Sequence, residues 1–188
     1  MKKILGLVIV LGLAATPAIA QKVTIDYAHD FDFEAAKTFQ YVDTKDSNVK
    51  NPLLADRIEA MIKKEMREGG ATEVTENPDL YITYHVTTAE NTRYNTTTMG
   101  FGGYGGYYGG WGGWGGMGGM GSSTTTATDY TVGTLIIDAY EPTDKKMVWR
   151  ATGTVEVKAK PEKQVKQVEK ILTKIGKKWE KILHGQGK

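Results

Sequence analysis

The spacing of apolar residues changes several times along this chain, and each change predicts an element. From Lys22 to Tyr27 polar and apolar residues alternate, with Val23, Ile25 and Tyr27 on one face, the period of a strand. Thr38 to Val42 predicts a second strand. Leu54, Ile58, Met61, Ile62 and Met66 then recur at helical spacing. Asn51-Pro52 supplies a favourable N-cap and first helical residue, and Gly69-Gly70 supplies the stop. Thr72 to Val74 predicts a short strand and Asn77-Pro78-Asp79 a turn. Leu80 to Thr88 alternates again, placing Leu80, Ile82, Tyr84 and Val86 on one face and Tyr81, Thr83, His85 and Thr87 on the other. Tyr130 to Tyr140 and Met147 to Val157 form a hairpin about the turn Glu141-Pro142-Thr143-Asp144. Pro161 opens a last helix with an apolar stripe of Val165, Val168, Leu172, Ile175, Trp179 and Ile182, in which Gly176 is a weak point.

The order is therefore β-β-α-β-β-β-β-α. Two helices with one apolar stripe each must share a sheet face, which predicts an α+β two-layer sandwich with a mainly antiparallel sheet. Residues 21–188 suit a single domain. Within it, about Asn91 to Asp129 is expected as a long loop inserted between two strands, flanked by Thr96-Thr97-Thr98 and Ser122-Ser123-Thr124-Thr125-Thr126. Loops of that length are functional or disordered.

Between Gly100 and Gly121 that segment repeats two glycines and one large side chain: Phe101, Tyr104 and Tyr107, then, after an inserted Tyr108, Trp111, Trp114, Met117 and Met120. So much glycine disfavours a packed helix or strand, yet the large groups need something to touch. A period of three fits a polyproline-II-like stripe, while the break at Tyr108 and the lack of proline exclude collagen. These residues are the candidate contact for membrane, glycan or a protein partner, since Trp and Tyr favour the membrane interface and Met suits adaptable surfaces.

At the start of the chain, Lys2 and Lys3 precede an apolar run from Ile4 to Ala15, and Ala18-Ile19-Ala20 has the form of a signal-peptidase site. The expectation is a bacterial signal peptide over residues 1–20, cleaved after Ala20, and a periplasmic or secreted product. The chain has no cysteine, hence no lipobox, lipid anchor or disulfide. Beyond the signal the charge is segregated: Gln21 to Val157 holds 12 Lys/Arg against 19 Asp/Glu, and Lys158 to Lys188 holds 10 Lys against 3 Glu. Lys163, Lys166, Lys170, Lys174, Lys177, Lys178 and Lys181 crowd the non-core face of the last helix, without arginine, as candidate anion contacts. The alternative is a solvated face balanced by the acidic remainder of the molecule. Nucleic acid is not expected, because the processed chain has no net positive charge.

Several segments in order, Asp26-Tyr27, Asp30-Phe31, Lys37-Thr38-Phe39, Asn51-Pro52-Leu53-Leu54, Asn77-Pro78-Asp79-Leu80, Gly133-Thr134-Leu135-Ile136-Ile137-Asp138 and Val148-Trp149-Arg150, carry a resemblance over nearly the whole chain. It resembles the domain-of-unknown-function 4136 family of exported, often lipid-anchored bacterial envelope proteins. The resemblance implies an α+β fold and an envelope location, and no catalytic residues.

Candidate chemistry is sparse. Asp26, His29, Asp30, Asp32 and Glu34 include metal-capable ligands but lack the glycine and terminal glutamate of an EF-hand. The expected role of Asp30-Phe31-Asp32 is a strand-exit turn, with aspartate capping amides while Phe31 and Phe33 dock in the core. His85 and His184 have no partner nearby in sequence. Trp149 is expected in the core and Arg150 in solvent, since neighbours on a strand face opposite ways. No hydrolase, zinc-protease or nucleotide-loop motif is present, so neither enzyme activity, cofactor nor metal is expected. The alternatives to a binding module are a structural protein that self-associates through the glycine tract and a small-ligand carrier or enzyme using the sheet-helix crevice, with His85 or the Asp26 to Glu34 cluster contributing.

Overall fold

The computed structural model describes residues 21–43, 49, 51–99 and 122–185. The elements follow the predicted order: β1 (Lys22–Tyr27), β2 (Thr38–Tyr41), α1 (Pro52–Glu68), β3 (Thr72–Glu73), β4 (Leu80–Met99), β5 (Ser122–Tyr140), β6 (Met147–Glu156) and α2 (Pro161–Gly185). Local chemistry sets their ends. Asn51 Oδ1 accepts the Leu53 amide at 3.1 Å to cap α1, and Gly70, at φ +91°, turns the chain out of it. Asp32 Oδ1 accepts the amides of Glu34 and Ala35, each at 3.0 Å, while Phe31 and Phe33 pack against the core. The strand-exit turn is as predicted.

The sheet is six-stranded and mixed, in the order β1-β6-β5-β4-β2-β3. β1, β6, β5 and β4 pair antiparallel, whereas β2 runs parallel to both β4 and β3. β2 and β3 are joined through α1, and a helical crossover brings strands back parallel. Both helices lie on one face. Ile58 and Ile62 of α1 meet Ile171, Leu172 and Ile175 of α2 over Phe39, Ile82, Tyr84, Leu135, Ile137, Ala139 and Ala151. Ile171 falls outside the six-residue stripe read from the sequence, yet it is only 2% exposed. It fits because Gly153 lies beneath it: an added Cβ there would overlap the Ile171 side chain.

The strands β4 and β5 run much further than the apolar alternation predicts. They pair rung for rung from Tyr81↔Tyr140 to Met99↔Ser122, without a register shift. The segment expected as a loop from about Asn91 to Asp129 thus begins and ends with strand, leaving 100–121 outside the described residues. The extension lacks apolar alternation because neither face is buried; threonines supply β-branched propensity and cross-strand pairs instead.

Candidate functional site

Three features stand out: the arm made by the outer parts of β4 and β5, the outer face of α2, and a polar row on the helix-free face of the sheet. The arm begins where its neighbours stop. β6 follows β5 to Val132↔Glu156, with one further bond from the Val157 amide to the Thr131 carbonyl, and β2 follows β4 only to Ile82. From Glu90↔Thr131 to Met99↔Ser122 two strands continue alone, for about 30 Å at strand rise.

At its base the Arg93 guanidinium sits 4.7 Å from the Tyr130 ring centroid and 3.2 Å from Glu156, fastening the arm to β6. One rung inside Arg93 the Thr92 hydroxyl donates to Asp129 at 2.7 Å, and further out the hydroxyls of Thr96 and Thr125 lie 3.1 Å apart. Tyr94 is 71% exposed. The Val42 amide donates to the Ile82 carbonyl, so even-numbered residues of β4 turn their backbone groups away from β5. At Glu90, Thr92, Tyr94 and Thr96 those groups have no strand partner among the described residues. The predicted contact residues Phe101, Tyr104, Tyr107, Tyr108, Trp111, Trp114, Met117 and Met120 lie outside the described residues; the segment carrying them leaves and re-enters the fold at the paired residues Met99 and Ser122.

On α2, Lys163, Lys166, Lys170, Lys174, Lys177 and Lys181 are exposed and follow one another at intervals of three or four residues, forming a line opposite the buried Ile171, Leu172 and Ile175. Lys178 departs from the predicted group, because it turns toward β1 and donates to the Val23 carbonyl at 3.2 Å. A concave region of about 390 Å3 at the start of the helix is lined by Gln21, Val155, Glu156, Lys158, Lys163, Lys166, Gln167 and Lys170.

The polar row was not anticipated. Thr83, Asp138, Arg150 and Asp26 stand opposite one another across β4, β5, β6 and β1. Asp138 is fully buried, and Arg150 forks onto it with Nε at 2.6 Å and Nη2 at 2.8 Å. That bond holds the guanidinium even more firmly protonated than usual. Arg150, exposed as expected, also carries the counter-charge of a buried carboxylate. His85 Nε2 lies 3.9 Å from Asp138 Oδ2. Asp138 within the apolar run Leu135-Ile136-Ile137-Asp138-Ala139, opposite Arg150 across the hairpin, was the available signal.

Trp149, on the opposite face to Arg150, joins a ring cluster in which Trp179 touches Tyr27, Phe33 and Trp149 at centroid distances of 5.3, 4.9 and 5.8 Å. The His29 ring lies tilted against Tyr27 at a centroid distance of 4.5 Å, and Asp30 pairs with Lys146 at 3.1 Å. Asp32 is spent on its turn. Among the described residues no group of three or more acidic, histidine or cysteine side chains is placed to hold a metal ion.

Residues 23–178 match the family described as Domain of unknown function (DUF4136). The chain belongs to this family. Among solved structures, the DUF4136 chain is similar to a PDZ domain protein from Parabacteroides distasonis, at 15% identity and a TM-score of 0.49, over 81% of this chain and 35% of that one. It thus spans about a third of that protein's length. It is also similar to the PelC dodecamer from Paraburkholderia phytofirmans, at 13% identity and a TM-score of 0.45, over 81% of this chain and 94% of that one. No curated protein matches.

Proposed function

We propose that this DUF4136 protein is a noncatalytic contact protein of the bacterial envelope, in which the β4–β5 arm presents residues 100–121 to a membrane, glycan or protein partner. The observation that carries the reading is the unbroken ladder to Met99↔Ser122. A ladder continued past every neighbouring strand sets both ends of the aromatic segment far from the core. Seven large side chains spaced by paired glycines supply contact groups without a packed core of their own. Export agrees with the leader-like residues 1–20 and with the family resemblance. Among the described residues no helix is long and apolar enough to cross a membrane. The buried carboxylate of Asp138 is taken up by Arg150, so it supports the fold rather than a reaction.

Deleting residues 101–120 is expected to leave the thermal unfolding transition in place and to abolish association with envelope fractions at about 1 M salt, where charge contacts are screened. Unchanged association overturns the reading. The open backbone groups of the arm favour a second reading, self-association by strand addition. Sedimentation that grows with concentration supports it, and a strict monomer opposes it.

A further inference from the structure

We propose that the outer face of α2 is a docking surface for an anionic phospholipid bilayer. The proposal rests on the envelope location but not on the arm. Its first ground is a contrast between the two helices. On α1 three of the four cations are paired: Lys63 with Glu59 and Glu73 at 2.8 Å each, Lys64 with Glu68 at 3.6 Å, and Arg67 with Glu73 at 3.2 Å, while Arg57 has no ion pair among the described residues. On α2 none of Lys163, Lys166, Lys170, Lys174, Lys177 and Lys181 has an ion pair among the described residues. Direct ion pairs with the acidic remainder therefore do not account for the stripe, and α2 itself adds only Glu162, Glu169 and Glu180.

The second ground is geometry. Intervals of three, four, four, three and four residues keep the six ammonium groups within one narrow arc of the helix. The line is about 27 Å long at helical rise. Like charges one turn apart repel, and a surface of anions relieves that repulsion. Gln167 fixes the segment before the helix beside Lys163 and Lys166, accepting the Lys158 amide at 3.1 Å and donating to the Glu156 carbonyl at 2.7 Å; the Lys158 ammonium pairs with Glu156 at 3.6 Å, so the line of unpaired lysines begins at Lys163.

The third ground selects the occupant. A straight line of this length exceeds any single phosphate group, and lysines without arginine act as mobile point charges rather than as forks for one fixed anion. The apolar face of α2 is already used against the sheet, as Ile171, Leu172 and Ile175 show, so the helix cannot insert and must bind by charge alone. A planar array of phosphate headgroups is the ligand that meets all six lysines together.

The test uses the full chain and vesicles of phosphatidylcholine with or without phosphatidylglycerol, read by co-sedimentation. Binding is expected only to the anionic vesicles and is lost between about 0.1 and 1 M salt, as the screening length falls from about 10 to 3 Å. Replacing Lys166→Gln, Lys170→Gln and Lys174→Gln together weakens it about 100-fold, at roughly fivefold per lysine. Single replacements each show about fivefold, and the three arginine replacements keep the affinity. The α1 variant Lys64→Gln, at an exposed lysine paired with Glu68 and outside both contact surfaces, leaves this salt-sensitive binding intact, whereas failure of the arm reading is seen separately, in salt-resistant association that deletion of residues 101–120 does not change. Wild-type affinity in the glutamine variant, equal binding to phosphatidylcholine alone, or full displacement by about 10 mM inorganic phosphate each overturns the proposal, the last by reassigning the stripe to a single-phosphate site.

Discussion

Asp138 and Arg150 form an unequal pair, since the carboxylate is fully buried while the guanidinium side chain stays 44% exposed. Removing the arginine leaves a buried charge without compensation, so Arg150→Ala is expected to cost about 3 kcal/mol in denaturant unfolding. A loss below about 0.5 kcal/mol contradicts the pairing's role. Two glycines make opposite predictions. Gly153→Ala pushes a methyl group into Ile171 and is expected to destabilise by about 1–3 kcal/mol. Gly176→Ala, at an exposed position of α2, meets only the end of the Glu65 side chain, at 3.4 Å from Oε2, and is expected to stabilise by up to about 1 kcal/mol. Asp79 ties the start of β2 to that of β4 by accepting the Thr38 hydroxyl at 2.7 Å and the Thr38 and Lys37 amides at 2.8 and 2.9 Å. The hydroxyl first, then the amides, hold its carboxyl below the usual range. A depressed folded value means that its contribution is present above the unfolded value near pH 4 and is lost as pH falls through the folded one. Asp79→Asn should therefore flatten the acid limb of a stability profile below about pH 4, and an unchanged limb contradicts this assignment.

Amide exchange tests the arm as an element. Asn91, Arg93 and Asn95 direct their amides into the β5 ladder, while Glu90, Thr92 and Tyr94 direct theirs outward. Slow exchange at the first three and fast exchange at the second three is expected; uniform exchange along 90–95 contradicts the ladder. The elements with a buried face were legible in the sequence, because burial writes its period into the side chains: α1, α2 and the inner part of β4 follow from it. The arm was not legible, because neither of its faces is buried and threonine repeats suit a loop as well as a strand. The parallel placement of β2 also escaped, since pairing partners distant in sequence leave no local signal. At the candidate sites the lysine line was readable from helical spacing, apart from the rotation of Lys178 toward Val23. The Asp138–Arg150 pair depends on hairpin register, which the turn residues fix only once both strand ends are known.

On the scale of the molecule, charge and contact groups are set apart. The α+β body buries one core, α2 turns its lysines outward, and the arm carries Met99 and Ser122, the residues that flank 100–121 in sequence, to its far rung. This separation implies that the contact segment can be altered without loss of the fold, because both its ends join the far rung of the arm rather than the core. The central claim is that the segment at the end of the arm meets the partner. A photoreactive side chain placed at Trp111 in intact cells tests it directly, with the same probe at the exposed Lys64 of α1 as the control. The account predicts a defined crosslinked species from position 111 that is missing from position 64. The same products from both positions, or none from position 111, would contradict it.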